Sequence, residues 1–196
     1  MNTMPDLETE RLWIRPFLPQ DLDTIHQLFK DIHWHNPELS DTQNYIERDK
    51  WLKWAMTNYV QLAQLHQPPY GDRAVVLKAS NLLIGMCGIV PYVSPFGQIP
   101  YFGGRDNALY TAEVGLMWAI SPSYQGQGYA TEAAQALVDY AFAGLRLSHI
   151  IATTEHDNLA SQAVMHRLGM LVQKNPYPEP PWLQVVGILE NKHIAH

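Results

Sequence analysis

The chain has 196 residues, the size of one ordinary domain over residues 1–196 rather than two. Its hydrophobic fraction of 46%, with 11% aromatic and 16% charged residues, suffices for a buried core and excludes global disorder. Thirteen Lys and Arg against nineteen Asp and Glu leave a formal charge of -6, so most of the surface would repel a phosphate backbone and a generic nucleic-acid binder is excluded. The lone cysteine, Cys87, can form no intrachain disulfide, and the stretch Met1 to Asp6 carries neither a basic nor an apolar leader region. The apolar run Leu82–Val90 is about half the length that a membrane-spanning helix needs. These features set the expectation of a cytoplasmic protein with no membrane partner.

In chain order, Arg11 to Pro16 alternates basic and apolar residues and ends at a proline, which predicts a first strand at a sheet edge. Leu22, Ile25, Leu28 and Phe29 then recur at helical spacing behind Pro19, and the helix should stop before His33. A second helix is expected from Ser40 or Asp41, ahead of the breaker Pro68 to Gly71. Arg73 to Lys78 and Leu82 to Val90 read as a hairpin of buried strands joined by Ala79, Ser80 and Asn81. A polar connection over Ser94 to Asn107 leads into a strand from Tyr110 to Ile120, on which Glu113 is a carboxylate among apolar neighbours. After Gly128 the spacing of Ala130, Ala133, Ala134, Leu137, Val138 and Ala141 predicts an amphipathic helix, with Gly144 as its expected C-terminal cap. A strand over Ser148 to Thr154, a helix over Asn158 to Leu168 closed by Gly169, a short strand Met170 to Gln173, a proline-rich loop Asn175 to Trp182 and a last strand Gln184 to Leu189 follow.

Between Ile120 and the helix starting near Gly128 lies Ser121 to Glu132, a glycine-rich turn into a helix N-terminus, which reads either as a tight strand–helix turn that needs two glycines or as an anion site. Such a turn offers free backbone N–H groups and the positive end of the helix dipole, which suits an anion and phosphate above all. No Gly-Lys-Ser/Thr follows, and the third glycine of a dinucleotide fingerprint is missing, so neither of those phosphate loops is present. Gln125-x-x-Gly128-x-Ala130 matches the Gln/Arg-x-x-Gly-x-Gly/Ala signature of the GNAT N-acetyltransferase superfamily. Tyr124 to Ala133 resembles the form found in its ribosomal-protein N-terminal acetyltransferase-like (Rim-type) branch. Leu7 to Arg15 resembles that branch's opening strand, Glu113 to Leu116 its fourth strand, and Asn158 to Ser161 through Leu168, Gly169 and Met170 its last helix. The likeness spans nearly the whole chain, weakest between Asp31 and Asp72 and after Asn175.

The resemblance implies an α/β fold, with a mixed, twisted central sheet of about seven strands and helices on both faces. It implies acetyl-CoA as cosubstrate, its pyrophosphate on the N–H groups of Gln125, Gly126, Gln127, Gly128, Tyr129 and Ala130, with the Thr131 hydroxyl added. Its pantetheine would run beside Leu116, Trp118 and Ile120, and a backbone N–H near Leu116 would serve the oxyanion. The acceptor would be a primary amine, on a small molecule or a protein N-terminus, attacking directly; no metal is required, and a homodimer is among the expected assemblies. A non-catalytic acyl-CoA-binding regulatory module is the rival reading.

Within this frame Glu113 is the candidate general base, its structural alternative being a cross-strand pair with Arg or Lys, and partial burial would raise its pKa. Asn158 is either a helix N-cap or a contact to the pantetheine and thiol end. Many relatives protonate the departing thiolate with a tyrosine at the position of Met165; Ser161 is the substitute candidate here, and Tyr124 and Tyr129 rank below it. Trp34, between the first two helices, and Trp182, in the proline-rich loop, are the candidate substrate residues. Cys87 is expected to be a buried small hydrophobe, and His33 and His35 to bind no metal.

Overall fold

The structure, a computed structural model, describes residues 5–192, so the leader expectation over Met1 to Met4 falls outside it. In chain order the strands are β1 (Leu7–Glu8), β2 (Leu12–Arg15), β3 (Gly71–Leu77), β4 (Leu82–Ser94), β5 (Thr111–Ile120), β6 (His149–Thr154), β7 (Leu171–Lys174) and β8 (Val185–Glu190). The α-helices are α1 (Leu22–Asp31), α2 (Asp41–Gln64), α3 (Tyr129–Asp139) and α4 (Leu159–Arg167). The strands form a mixed sheet in the order β1-β2-β3-β4-β5-β6-β8-β7. This is one strand more than expected. The addition is β1, two residues long and so too short to show a pattern; it pairs with β2 and takes from it the edge position that the sequence had suggested. The chain divides into two compact units, the first comprising residues up to Gly88 with Trp118–Ala136, the second Ile89–Met117 with residues from Leu137 onward.

In the first unit β2 lies antiparallel to β3, Leu12 facing Leu77 and Ile14 facing Val75. Leu12 and Ile14 are fully buried while Trp13 between them is exposed, the period-two alternation of a half-buried strand. Arg15 grips Asp21 through two hydrogen bonds of 2.7 and 2.9 Å, and Asp21 also accepts from the Leu18 N–H at 2.8 Å, which fixes the entry to α1. Ile25, Leu28 and Phe29 form the buried face of α1, and His33 closes it in the left-handed conformation at φ 60°. α2 starts where expected, Ser40 and Gln43 capping each other reciprocally. Asn81, at φ 55°, turns β3 into β4. Ala133 and Ala134 are fully buried along α3, so the predicted face is the one that packs.

In the second unit β5 runs parallel to β6, paired at Gly115↔Ile151, while β6 and β8 keep a continuous antiparallel ladder from His149↔Glu190 to Thr154↔Val185. One sheet face carries Ile151, Val186 and Ile188 into a core with Phe96, Ile99 and Leu183. On the other, Met165 of α4 and Met170 pack so closely on Gly187 that a Cβ there would lie 2.9 to 3.2 Å from them. α3 is prolonged by a π-helical turn over Tyr140–Gly144. Gly144 does not take the left-handed cap conformation expected of it; Arg146 does, at φ 55°. Gly169, at φ 78°, ends α4 as predicted.

Candidate active site

β5 hands over to α3 through a single 3-10 turn, Pro122–Tyr124, and an extended Gln125. The Gln125 side-chain amide donates to the Ile120 carbonyl at 2.8 Å and so ties the loop to the strand end. Gly126 and Gly128 then take φ 73° and 84°, values that strain any other side chain, and a Cβ on Gly126 would meet nothing within 4 Å. The first bond of the α3 ladder runs from the Glu132 N–H to the Gly128 carbonyl at 3.0 Å. The N–H groups of Tyr129, Ala130 and Thr131 are therefore without intrahelical acceptors, beside an exposed Gly126, Gln127 and Gly128. The Thr131 Oγ1, in the same turn, is shielded from solvent and has no hydrogen-bond partner among the described residues. A polar surface of donors at the positive end of a helix dipole is what an anion requires.

This loop is braced by residues that the sequence reading had not connected to it. Glu132 accepts from Thr9 Oγ1 at 2.6 Å, the Arg11 backbone N–H at 2.9 Å and Arg11 Nε at 2.7 Å. Arg11 Nη1 donates to the Gln127 carbonyl at 3.0 Å, and the guanidinium lies 4.4 Å from the centre of the Tyr129 ring. Burial pushes the Glu132 carboxyl up, but the hydrogen bonds from Thr9 and Arg11, with the Arg11 charge, outweigh it and hold the carboxyl below its ordinary value. Arg11 and Glu132 are 121 residues apart, a distance at which no local pattern carries a signal.

In the second unit Glu113, whose side chain is 14% exposed, has its Oε2 2.7 Å from His149 Nε2. The cross-strand partner is thus a histidine of β6, where the sequence had suggested Arg or Lys. Leu116 is buried, and the β5–β6 pairing at Gly115↔Ile151 leaves β5 from Leu116 onward beyond that pair. Asn158 Oδ1 accepts from the Ser161 N–H at 3.0 Å and caps α4. That bond leaves the Asn158 amide and the Ser161 hydroxyl uncommitted by it. Trp182 belongs to this unit and is 56% exposed.

The first unit holds Trp118, Ile120 and the loop, as well as Trp34, which is 50% exposed and sets its ring edge-on to Phe29 at 5.7 Å. Phe29 also faces Trp51 and the Arg48 guanidinium. Cys87 is fully buried in β4, and burial pushes its thiol up, far from a nucleophile's range.

Residues 11–171 match the family model described as the acetyltransferase (GNAT) domain. The chain belongs to the GNAT acetyltransferase family. It is similar to the uncharacterized N-acetyltransferase YnaD of Bacillus subtilis, at 32% identity over 84% of this chain and 81% of that one. Among solved structures, an acetyltransferase of Agrobacterium tumefaciens superposes with a TM-score of 0.66 at 22% identity, covering 96% of this chain and 95% of the other. The ribosomal-protein-S5-alanine acetyltransferase of Vibrio fischeri does so with a TM-score of 0.67 at 18% identity over 98% and 100%. At such identities the structural likeness establishes the fold and not the Rim-type branch, and the similar sequence named above is a generic N-acetyltransferase. Membership makes the chain an acetyltransferase, and it gives Met165 a clear reading: fully buried against Gly187, it has no exchangeable proton and is core. Among the described residues no helix is long and apolar enough to cross a membrane.

Proposed function

We propose that this acetyltransferase is one domain that moves an acetyl group from acetyl-CoA to a primary amine, on a small molecule or a protein N-terminus, inside the cell. The observation that carries the reading is the loop Gln125–Thr131: unpaired N–H groups, an open Gly126 and an orphaned Thr131 hydroxyl fit a pyrophosphate. The buried lone thiol fits a reducing compartment.

Acetyl-CoA, when bound, supplies a thioester carbonyl for attack and a thiolate to depart. Gly126 to Thr131 hold its phosphates through backbone donors, with Arg11 and Glu132 keeping the loop in shape. The β5 backbone beyond Gly115 offers N–H and C=O groups to an extended ligand, and the Leu116 N–H donates to the carbonyl oxygen as charge develops there. Glu113 takes the proton that an ammonium acceptor must lose before its lone pair can react. The Asn158 cap presents the first turn of α4, from which Ser161 returns a proton to sulfur. Trp34 and Trp182 contribute exposed aromatic surface to acceptor recognition.

The test is incubation with acetyl-CoA and a panel of primary amines that includes N-terminal peptides, with free thiol and acetyl mass increments as readouts. Thiol release matched to acetylated amine is the expected result. Tight acetyl-CoA binding without turnover on any amine would favour the regulatory module instead.

A further inference from the structure

Strand register on the second unit's sheet puts three ionisable side chains in one row. The parallel pair Gly115↔Ile151 aligns Glu113 with His149 two residues earlier on each strand, and His149 is the antiparallel partner of Glu190. His149 uses both ring nitrogens: Nε2 lies 2.7 Å from Glu113 Oε2 and Nδ1 lies 3.1 Å from Ser148 Oγ. Glu190 is engaged elsewhere, accepting from the Tyr101 hydroxyl at 2.6 Å, a bond that pushes the phenol up and keeps it a donor. Phe102 lies with its ring centre 6.0 Å from that of His149, and the His149 side chain is 28% exposed. The groups facing the imidazole are therefore Glu113 from β5, Glu190 from β8, Tyr101 and Phe102 from the segment above the sheet, and its neighbour Ser148.

A carboxylate that removes a proton in each turnover must also lose it in each turnover. A lysine or arginine beside Glu113 would hold it ionised but could not accept anything from it. Histidine is the side chain that changes charge between about pH 5 and 8 and can carry a proton in at one nitrogen and out at the other. We infer that His149 is the positioning residue of Glu113 and its proton outlet, a role that rests on Glu113 being the base.

The step balances without oxidation or reduction. The Glu113 carboxylic acid donates its proton to an unprotonated Nε2, the O–H bond breaks and an N–H bond forms. A carboxylate and an imidazolium result, hydrogen-bonded across β5 and β6. The Nδ1–H then releases its proton to water at the exposed side of the ring, next to Ser148 Oγ, which leaves the neutral Nε2–H tautomer. Before the next turnover the partly exposed ring takes a proton from water at Nδ1 and gives one up to water from Nε2, so that Nε2 can accept from Glu113 again.

The experiment is steady-state kinetics with the most active amine over pH 5 to 9, comparing wild type with His149→Gln and His149→Arg. Glutamine keeps a donor toward Glu113 and arginine keeps an ion pair, but neither accepts a proton. Both variants should keep KM for acetyl-CoA within about twofold and lower kcat about tenfold or more, with the limb of the kcat profile between about pH 5 and 8 flattened. Added imidazole should restore part of kcat in His149→Gln. Wild-type kcat and pH profile in either folded variant overturns the proposal, and so does a loss of kcat in His149→Gln that His149→Arg fully repairs, since charge alone would then suffice. Should one variant fail to fold, by circular dichroism and acetyl-CoA binding, the other decides by the same criteria. Binding of acetyl-CoA by wild type with no amine turned over brings down the acetyltransfer reading and this inference with it, whereas turnover by wild type matched by the variants brings down His149 alone.

Discussion

As the proposed base, Glu113 answers two demands, enough burial to keep water from competing and enough access to meet an amine, and its side chain is 14% exposed. At neutral pH an acceptor amine is mostly ammonium, and a positioned base raises the reactive fraction inside the complex by about 10² to 10⁴ in rate. Glu113→Gln keeps shape and hydrogen bonding to His149 but loses basicity. Turnover at pH 7 should fall by about that factor with acetyl-CoA affinity unchanged, and alkaline buffer should recover part of it; kcat and KM across pH are the check. Ser161 makes a different demand, because its N–H already serves the Asn158 cap. Ser161→Ala leaves that backbone bond in place, so kcat should fall several-fold while the dissociation constant for acetyl-CoA stays put. A parallel loss of both would mean that the hydroxyl only supports the turn.

At the scale of elements, the link between β2 and α3 decides how well the loop keeps its shape. Arg11→Gln removes the ion pair to Glu132, the donor to the Gln127 carbonyl and the cation over Tyr129 in one change. Acetyl-CoA affinity should drop about tenfold by calorimetry, as expected for loss of about 1.4 kcal/mol of preorganisation. Because the Glu132 carboxyl is held below its ordinary value in the folded protein, its contribution is complete above the unfolded glutamate range, near pH 4.3, and is lost as pH falls through the lowered folded value. Asp72 on β3 has the opposite sign: burial pushes it up to about 6, and its Oδ1 has no partner among the described residues. It ionises more readily in the unfolded chain, so its own contribution to stability is most favourable below about pH 4 and declines as pH rises to about 6, by on the order of 2 to 3 kcal/mol. Asp72→Asn should therefore raise the thermal midpoint at pH 7.5 and leave it little changed near pH 4, which melts at the two pH values will show.

The elements that could be read in advance were those with local causes. The alanine face of α3, the Ser40 cap, the Asn81 turn and the two glycines of the loop each follow from residues within a few positions of one another. The braces could not be read so. Thr9, Arg11 and Glu132, or Glu113 and His149, meet only because strands far apart in sequence are neighbours in the sheet, and a lone histidine in a strand looks the same whether or not a carboxylate faces it. Gly144 was misread for a related reason: the π-helical turn carries the chain two residues further before it reverses, and Arg146 takes the left-handed position.

For the molecule as a whole, binding and stability are linked. A ligand taken up only by the native state stabilises it by about 2.7 kcal/mol at a hundred times its dissociation constant. Acetyl-CoA should raise the thermal midpoint accordingly, and pantetheine, which lacks the pyrophosphate, should do far less at equal concentration. Gly128→Val, which places a branched side chain at φ 84°, should abolish the shift, as differential scanning fluorimetry can record. The two compact units have a further consequence for how the protein is made. The first is built from residues up to Gly88 and from Trp118–Ala136, so its own continuous stretch ends before the segment that completes it has been synthesised. As the chain leaves the ribosome, Thr9 and Arg11 wait more than a hundred residues for Glu132. Nascent chains arrested before α3 emerges should thus remain open to proteases around β2, and protection there should arrive abruptly once α3 is clear of the exit tunnel.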